Sequence, residues 1–375
     1  MDQRLRNDLM EKFTLSKEQL YNIAADFRAD MRAGLAGENS SLKMLPAFLD
    51  LPSGAEQGRY IAIDFGGSNV RIMAVELKGR GAVAITAVRK ASLIDADGKN
   101  LISADATAAQ MFDFIAEELA QLKLAEGPWF LGHTFSFPCR QISVNNAKLI
   151  HWTKEIQTAG VEGRDVTTLL IEALERKNIS NIVPVAVLND TVGTLLAGAY
   201  SDPDTRIGSI CGTGHNNCYL EPNYKKLGPM ILNMESGGFS GIRGNQYDRM
   251  LDRASEKPGS QLMEKMVAGR YLGELFRLVI TDLAERGLLT RPLADSFATP
   301  YQVTTEDLTA ILTGNPTAKS FSGLGEEDGE IIRLIAELIV KRSAALVASS
   351  FLGVLGHIDP EGRSKPSIAI DGSLY

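Results

Sequence analysis

The chain has 375 residues, 44% hydrophobic and 23% charged, with 39 Lys+Arg against 46 Asp+Glu and a formal net charge of −7. That apolar fraction is enough for packed cores over two or three domains, and it excludes a disordered or collagen-like chain. The acidic balance argues against broad nucleic-acid or anionic-membrane binding, which both need excess positive charge, and leaves room only for a local phosphate site.

The opening MDQRLRNDLMEKF is charged and amphipathic, unlike the apolar core of a secretory signal. Leu9, Phe13, Leu20 and Ile23 recur at helical spacing through residues 1 to 35, and Ser16 with Gln19 forms a capping-box pattern. A polar stretch with Gly and Pro runs from Gly34 to Gly58. Strand patterns YIAID (60–64) and VRIMAVEL (70–77) then flank the turn Phe65-Gly66-Gly67-Ser68-Asn69. A helix over about 107–124 precedes the strand WFLGHTFSF, which Pro138 ends. Another helix, about 165–177, leads through the apolar run IVPVAVL to Asn189-Asp190-Thr191, where a further helix begins.

A second strand–turn–strand unit follows: RIGSIC, then Gly212-Thr213-Gly214-His215-Asn216, then NCYLE. Residues 246 to 350 read as mostly helical. Glu337, Lys341 and Arg342 interrupt the apolar span from Leu334 to Leu355 and mark it as a buried helix rather than a bilayer crossing. SIAI and Asp371-Gly372-Ser373 lead to Tyr375. Alternating strands and helices give the α/β class, and two glycine turns about 145 residues apart predict two similar lobes facing one another.

Cys139, Cys211 and Cys218 are odd in number and form no CxxC pair, which argues for a reducing compartment without a disulfide framework. Cys211, His215 and Cys218 lie close enough in sequence for a metal set, but the two cysteines read better as small buried strand residues.

The first glycine turn lets the backbone approach a ligand, with N–H groups available to phosphate oxygens. Asp64 ends the entering strand, where its carboxylate suits a water-coordinated Mg²⁺, and Arg71 is close enough in sequence to meet anionic charge. A strand follows the turn and Lys is absent, so the pattern is neither a Walker A loop nor GxGxxG. Alone, the turn reads as a plain hairpin. The second turn adds backbone N–H groups and the Thr213 hydroxyl, and the pairing favours a nucleotide triphosphate clamped between lobes.

Asp190 stands where a strand ends and a helix begins, either as the helix N-cap or as the acceptor of a proton from a substrate hydroxyl. Singly, Glu235 and Glu264 read as solvated or capping groups. Together with Asn216 and Gln261 they offer the donors and acceptors that a sugar demands.

The series DFGGSNVR, TFSFPC, LIHWTKEI, VEGRDV, LNDTVGTLLAGAY, GTGHNNCYLE, NMESGGF and PGSQLMEKMVAGRYLGELFR resembles the eukaryotic-type hexokinase/glucokinase family. The motifs follow the family's order from about residue 40 to the last residue. The resemblance implies a two-lobed actin-like ATPase (ribonuclease H-like) fold with an interlobe cleft. Residues 58–192 would form the small lobe, and 1–57 with 193–375 the large one. It also implies transfer of the ATP γ-phosphate to the 6-hydroxyl of glucose or a related hexose, with Mg²⁺.

By this resemblance Asp190 is the general base, with Lys154 beside it. Ser136, Thr153 and Lys154 contact the sugar from the small lobe, and Asn189, Asn216, Glu235, Gln261 and Glu264 complete its site. Asp64 (acting on Mg²⁺ through water), Gly66, Gly67, Ser68, Asn69 and Arg71 form the first phosphate turn, and Gly212, Thr213 and Gly214 the second. The expected partners are a hexose and Mg·ATP, with no nucleic acid and no membrane, in a cytoplasmic monomer or homodimer.

Two departures stand out. The family usually continues Trp-Gly-Ala-Phe after the sugar-binding Glu, whereas this chain has Ser236-Gly237-Gly238-Phe239, so that wall of the cleft is expected to be reshaped. Members also continue past the DGSxY match, so the usual C-terminal return segment is expected to be absent. The competing readings are a catalytically weak hexokinase-like sugar sensor and another actin-fold ATPase. Asp190, Lys154 and both turns argue against the first, and the sugar-site set against the second.

Overall fold

The N-terminal helical pattern folds as two helices, α1 (Gln3–Phe13) and α2 (Lys17–Ala36). Ser16 separates them: its hydroxyl accepts the Gln19 N–H while the Gln19 side chain accepts the Ser16 N–H at 2.8 Å. Gly37, at φ 76°, ends α2 in the left-handed region that a Cβ disfavours. The computed structural model describes residues 2–153, 156–226, 228–289, 297, 299–314 and 326–374.

A short strand, β1 (Leu45–Pro46), follows. β2 (Gln57–Phe65), β3 (Asn69–Lys78) and β4 (Val83–Ser92) form an antiparallel meander. α3 (Ala108–Ala120) begins at a Thr107–Gln110 capping box and returns the chain to β5 (Trp129–Phe135), which runs parallel to β2. A hairpin of β6 (Cys139–Ser143) and β7 (Asn146–Leu149) comes next. α4 (Val166–Arg176), capped by Asp165, then delivers β8 (Ile182–Leu188) parallel to β5. The sheet order is β4-β3-β2-β5-β8. Alternate residues such as Ile61, Ile63, Val70, Ile72 and Leu131 are buried in one core with Phe112 and Ile115 of α3 and Leu169 and Leu170 of α4.

α5 (Asp190–Ser201) leads from β8 to the second sheet. There β9 (Thr205–Cys211), β10 (His215–Glu221) and β11 (Met230–Asn233) make another antiparallel meander. Among the described residues five α-helices follow: α6 (Gln246–Ala254), α7 (Leu262–Val267), α8 (Gly269–Glu285), α9 (Thr305–Thr313) and α10 (Glu326–Ile358). Finally β12 (Ser367–Asp371) pairs parallel to β9, giving the order β1-β11-β10-β9-β12. Each sheet is thus a three-stranded meander with a parallel strand beside its first member. The two glycine turns occupy the same place in both, between the first and second strands of each meander.

α10 is long and apolar enough to cross a bilayer by length and composition, yet more than half of its apolar span is buried. Ile335, Ile339, Leu346 and Val354 face the interior. So does Arg342, whose guanidinium grips the buried Asp248 carboxylate of α6 with bonds of 2.6 and 2.8 Å and lies 4.8 Å from the Phe13 ring of α1. This pair pins three helices together. Arg342→Met leaves the Asp248 charge buried without its counterion, at an expected cost of about 3–5 kcal/mol in urea unfolding. Replacing both residues by apolar ones should cost much less, and a fully stable single variant would contradict the pinning role.

Candidate active site

β8 ends at Leu188 and the chain turns into α5 with Asn189, not Asp190, as the N-cap; Asn189 Oδ1 accepts the Thr191 N–H at 3.0 Å. Asp190 is the first helical residue, half-buried, with one carboxylate oxygen 2.9 Å from the same N–H. The capping role is filled by its neighbour.

Three amides link this strand end to the second sheet. Asn216 Nδ2 donates to Asn233 Oδ1 at 2.8 Å and reaches Asn189 Oδ1 and Thr191 Oγ1 at 3.4 Å each. Its Oδ1 accepts the Ser236 N–H at 3.1 Å. Asn233 Nδ2 in turn donates to Glu235 Oε1 at 2.8 Å. Each amide carries both donors and an acceptor, so the chain of bonds fixes its members' orientation.

Glu235 at φ 54° and Gln261 at φ 53° both occupy the left-handed region, which costs a non-glycine residue about 1–2 kcal/mol. Strain of that kind concentrates at functional sites. Glu264, on α7, accepts the His215 N–H at 3.0 Å. Gly237 packs beside it so closely that a Cβ would lie 2.9 Å from the His215 carbonyl oxygen.

A cavity of about 790 Å³ gathers these groups. Ser136, Thr153, Asn189 and Asp190 line one side, and Thr213, Gly214, Asn216, Glu235, Gln261 and Glu264 the other. Gly212 is buried just behind the second turn. Its carbonyl accepts the Gly269 N–H at 2.8 Å and the Thr213 carbonyl accepts the Arg270 N–H at 3.2 Å, so the start of α8 supports the turn. Gly372, at φ 129°, closes the back; a Cβ there would meet the Cys211 carbonyl oxygen at 2.3 Å.

The first turn is not part of that lining. Asp64, Gly66, Gly67, Ser68, Asn69 and Arg71 sit at the end of the β2–β3 meander, with Asp64 and Arg71 cross-strand partners and both exposed. Asn69 is tied to Ser68 at 3.2 Å and to Ser92 at 3.0 Å. A ring cluster connects this turn to the cavity: Phe65 packs against Phe135, Phe137 and Trp152, the neighbours of Ser136 and Thr153. Lys154 lies outside the described residues.

Ser236 is fully buried, and Gly237 supplies the wall there. The Ser236 N–H donates to Asn216 Oδ1 at 3.1 Å, and the residue is buried beneath that wall. The cysteines are free, and among the described residues no three ligating side chains cluster for a metal. Burial pushes the Cys139 thiol up to about 12, with the Asp165 charge adding to it, and pushes Cys218 higher still. Sequence reasoning passed over Asn233, the last residue of β11 and two residues before Glu235, and Lys43, whose ammonium is 3.9 Å from Glu235.

Hexokinase sequence profiles match residues 6–200 and 206–375. The chain belongs to the hexokinase family. Rat hexokinase-2 and human hexokinase-1 are each 36% identical to this hexokinase-family chain over 393 residues, covering 96% of it and 42% of each relative. The chain therefore spans less than half the length of these curated relatives. A solved hexokinase from Schistosoma mansoni, complexed with glucose, is 34% identical, with a TM-score of 0.83 over 100% of this chain and 90% of that one. Another hexokinase crystal structure is 30% identical with a TM-score of 0.86. The paired sheets are those of the actin-like ATPase fold.

Two buried histidines in this hexokinase-family chain should govern its acid stability. Burial holds the His215 ring at about 4, below the usual 6.5, despite its bond to the Ile210 carbonyl; burial alone holds His133 at about 4. An unfolded chain takes up protons below 6.5 that these rings refuse, so stability is full above that value and falls as pH drops toward about 4. The expected loss is on the order of 3 kcal/mol per ring at most, read from urea midpoints. His133→Phe should flatten part of that slope; an unchanged slope would overturn the assignment.

Proposed function

We propose that this protein is a hexose kinase that transfers the γ-phosphoryl group of Mg·ATP to the 6-hydroxyl of glucose or a related hexose, with Asp190 as general base. The observation that carries this reading is the convergence of a half-buried carboxylate, Asp190, with Asn189, Asn216, Glu235, Gln261 and Glu264 in one cavity that also contains the second glycine turn. The glucose in the Schistosoma mansoni relative supports the choice of sugar.

A sugar hydroxyl is a poor nucleophile facing an anionic phosphoryl group, so positioning and electrostatics must supply most of the rate. The amides and carboxylates orient the sugar, with Ser136 and Thr153 opposite them. Asp190 takes the hydroxyl proton as the sugar oxygen bonds to phosphorus and the bond to the bridging oxygen of ADP breaks. Thr213 and Gly214 offer a hydroxyl and backbone N–H groups to the nucleotide phosphates. Asp64 is exposed and lies in no cluster of ligating side chains among the described residues. An exposed carboxylate at the end of β2 would hold Mg²⁺ through water, with the nucleotide phosphates supplying the other oxygens. Bound with the nucleotide, Mg²⁺ would supply positive charge against the phosphate oxygens. Three free cysteines support a reducing, cytoplasmic setting.

ADP release from Mg·ATP, with and without millimolar glucose, tests the reading. Release should depend on sugar, and Asp190→Ala should lower kcat by roughly 10²–10⁴-fold while glucose binding persists. Sugar-independent release, or glucose binding without turnover, would overturn it.

A further inference from the structure

The loop 255–261, between α6 and α7, brings Ser255, Glu256, Lys257, Ser260 and Gln261 to the cavity wall, although it belongs to no sheet or helix. What holds it is a charge pair. Asp252, in the last turn of α6, accepts the Gly259 N–H on both carboxylate oxygens at 3.0 Å. Lys265, on α7, donates to Asp252 Oδ1 at 2.6 Å and to the Lys257 carbonyl at 2.8 Å. The loop is gripped at both places, from the helices on either side.

The Lys265 side chain is only 5% exposed, so its charge is removed from water at a cost that plain packing by an apolar residue would avoid. Burial would raise the Asp252 carboxyl, but the Lys265 ammonium and the Gly259 N–H outweigh it and hold that group below its usual range. Beyond the grip the chain enters Gln261 at φ 53°, and the Gln261 carbonyl accepts the Lys265 N–H at 3.0 Å. The Gln261 amide oxygen lies against Gly238, where a Cβ would come within 3.2 Å. A left-handed glutamine facing a cavity relaxes unless its flanks are fixed.

We propose that the Asp252–Lys265 pair is a positioning clamp that holds Gln261 in the cavity and thereby sets affinity for the sugar. It acts on the hexose, because the loop it fixes contributes Gln261; Arg270 ties the same loop to the phosphate turn, donating from its guanidinium to Glu256 at 2.7 Å and from its N–H to the Thr213 carbonyl at 3.2 Å, and that tie does not pass through Asp252 or Lys265. The inference rests on the hexose-kinase reading above.

Asp252→Asn keeps the side-chain volume and removes the charge. The pair Asp252→Leu with Lys265→Met removes both charges together, which avoids stranding one in the interior. In both, glucose Kd by calorimetry and glucose KM should rise about tenfold, with kcat at saturating glucose and ATP KM within about twofold of the parent. Adding Gln261→Ala to the double variant should cause little further loss, since the clamp acts through that residue. A folded variant with parental glucose affinity, an equal loss for glucose and ATP, or a fully additive effect of Gln261→Ala would each overturn the clamp. If the double variant fails to fold, Asp252→Asn decides. A parent that turns over glucose while both variants match it sinks the clamp alone; a parent that neither binds nor phosphorylates any hexose sinks the kinase reading as well.

Discussion

The amide of Asn216 is the point at which the two halves of the cavity meet. Its nitrogen faces acceptors on the α5 start and on β11, and its oxygen receives the Ser236 N–H. A planar amide cannot shift one of these bonds without disturbing the others. The bonds differ in length, however: 2.8 Å within the second sheet against 3.4 Å toward Asn189 and Thr191. The network is tight around Glu235 and slack toward Asp190, so a ligand that draws the two sides together meets least resistance on the Asp190 side.

Away from the cavity, buried charge pairs fix the helices. Besides Asp248–Arg342, Glu274 and Arg277 of α8 form two bonds of 2.7 and 2.8 Å, while Arg277 also donates to the Phe297 carbonyl and Glu274 accepts the Tyr301 N–H. Apolar faces slide past one another at small cost, but a buried bidentate pair has one geometry. Such pairs tie α10 to α6 and anchor α8 to the chain at Phe297 and Tyr301.

The parts legible in the sequence are those set by local chemistry. Ser16 announces a helix start because a side-chain acceptor must meet unpaired N–H groups, and the structure places a cap there and also at Thr107 and Asp165, where the helical patterns begin. The glycine turns were readable because the strands on either side alternate strongly. β4 and the β6–β7 hairpin were missed because their exposed faces blur that alternation, with Ile85, Val88 and Ile142 in solvent. At the site, Asp190, Glu235, Gln261 and Glu264 stand out by residue type and motif. Asn233 acts through its partners Asn216 and Glu235, which no local pattern encodes. The choice of Asn189 over Asp190 as cap turns on one residue of register, finer than any spacing rule resolves.

The two sheets also differ in when they can be completed. Every strand of the first lies between Gln57 and Leu188, one uninterrupted stretch. The second recruits β1 from before that stretch and β12 from beyond all of the helices, with β12 lying parallel to β9. During synthesis the first sheet can therefore assemble as it emerges from the ribosome, whereas β9 must wait with an open hydrogen-bonding edge until Ser367–Asp371 have been made. That waiting edge is the natural place for a chaperone to engage the nascent protein, or for two unfinished chains to pair with each other.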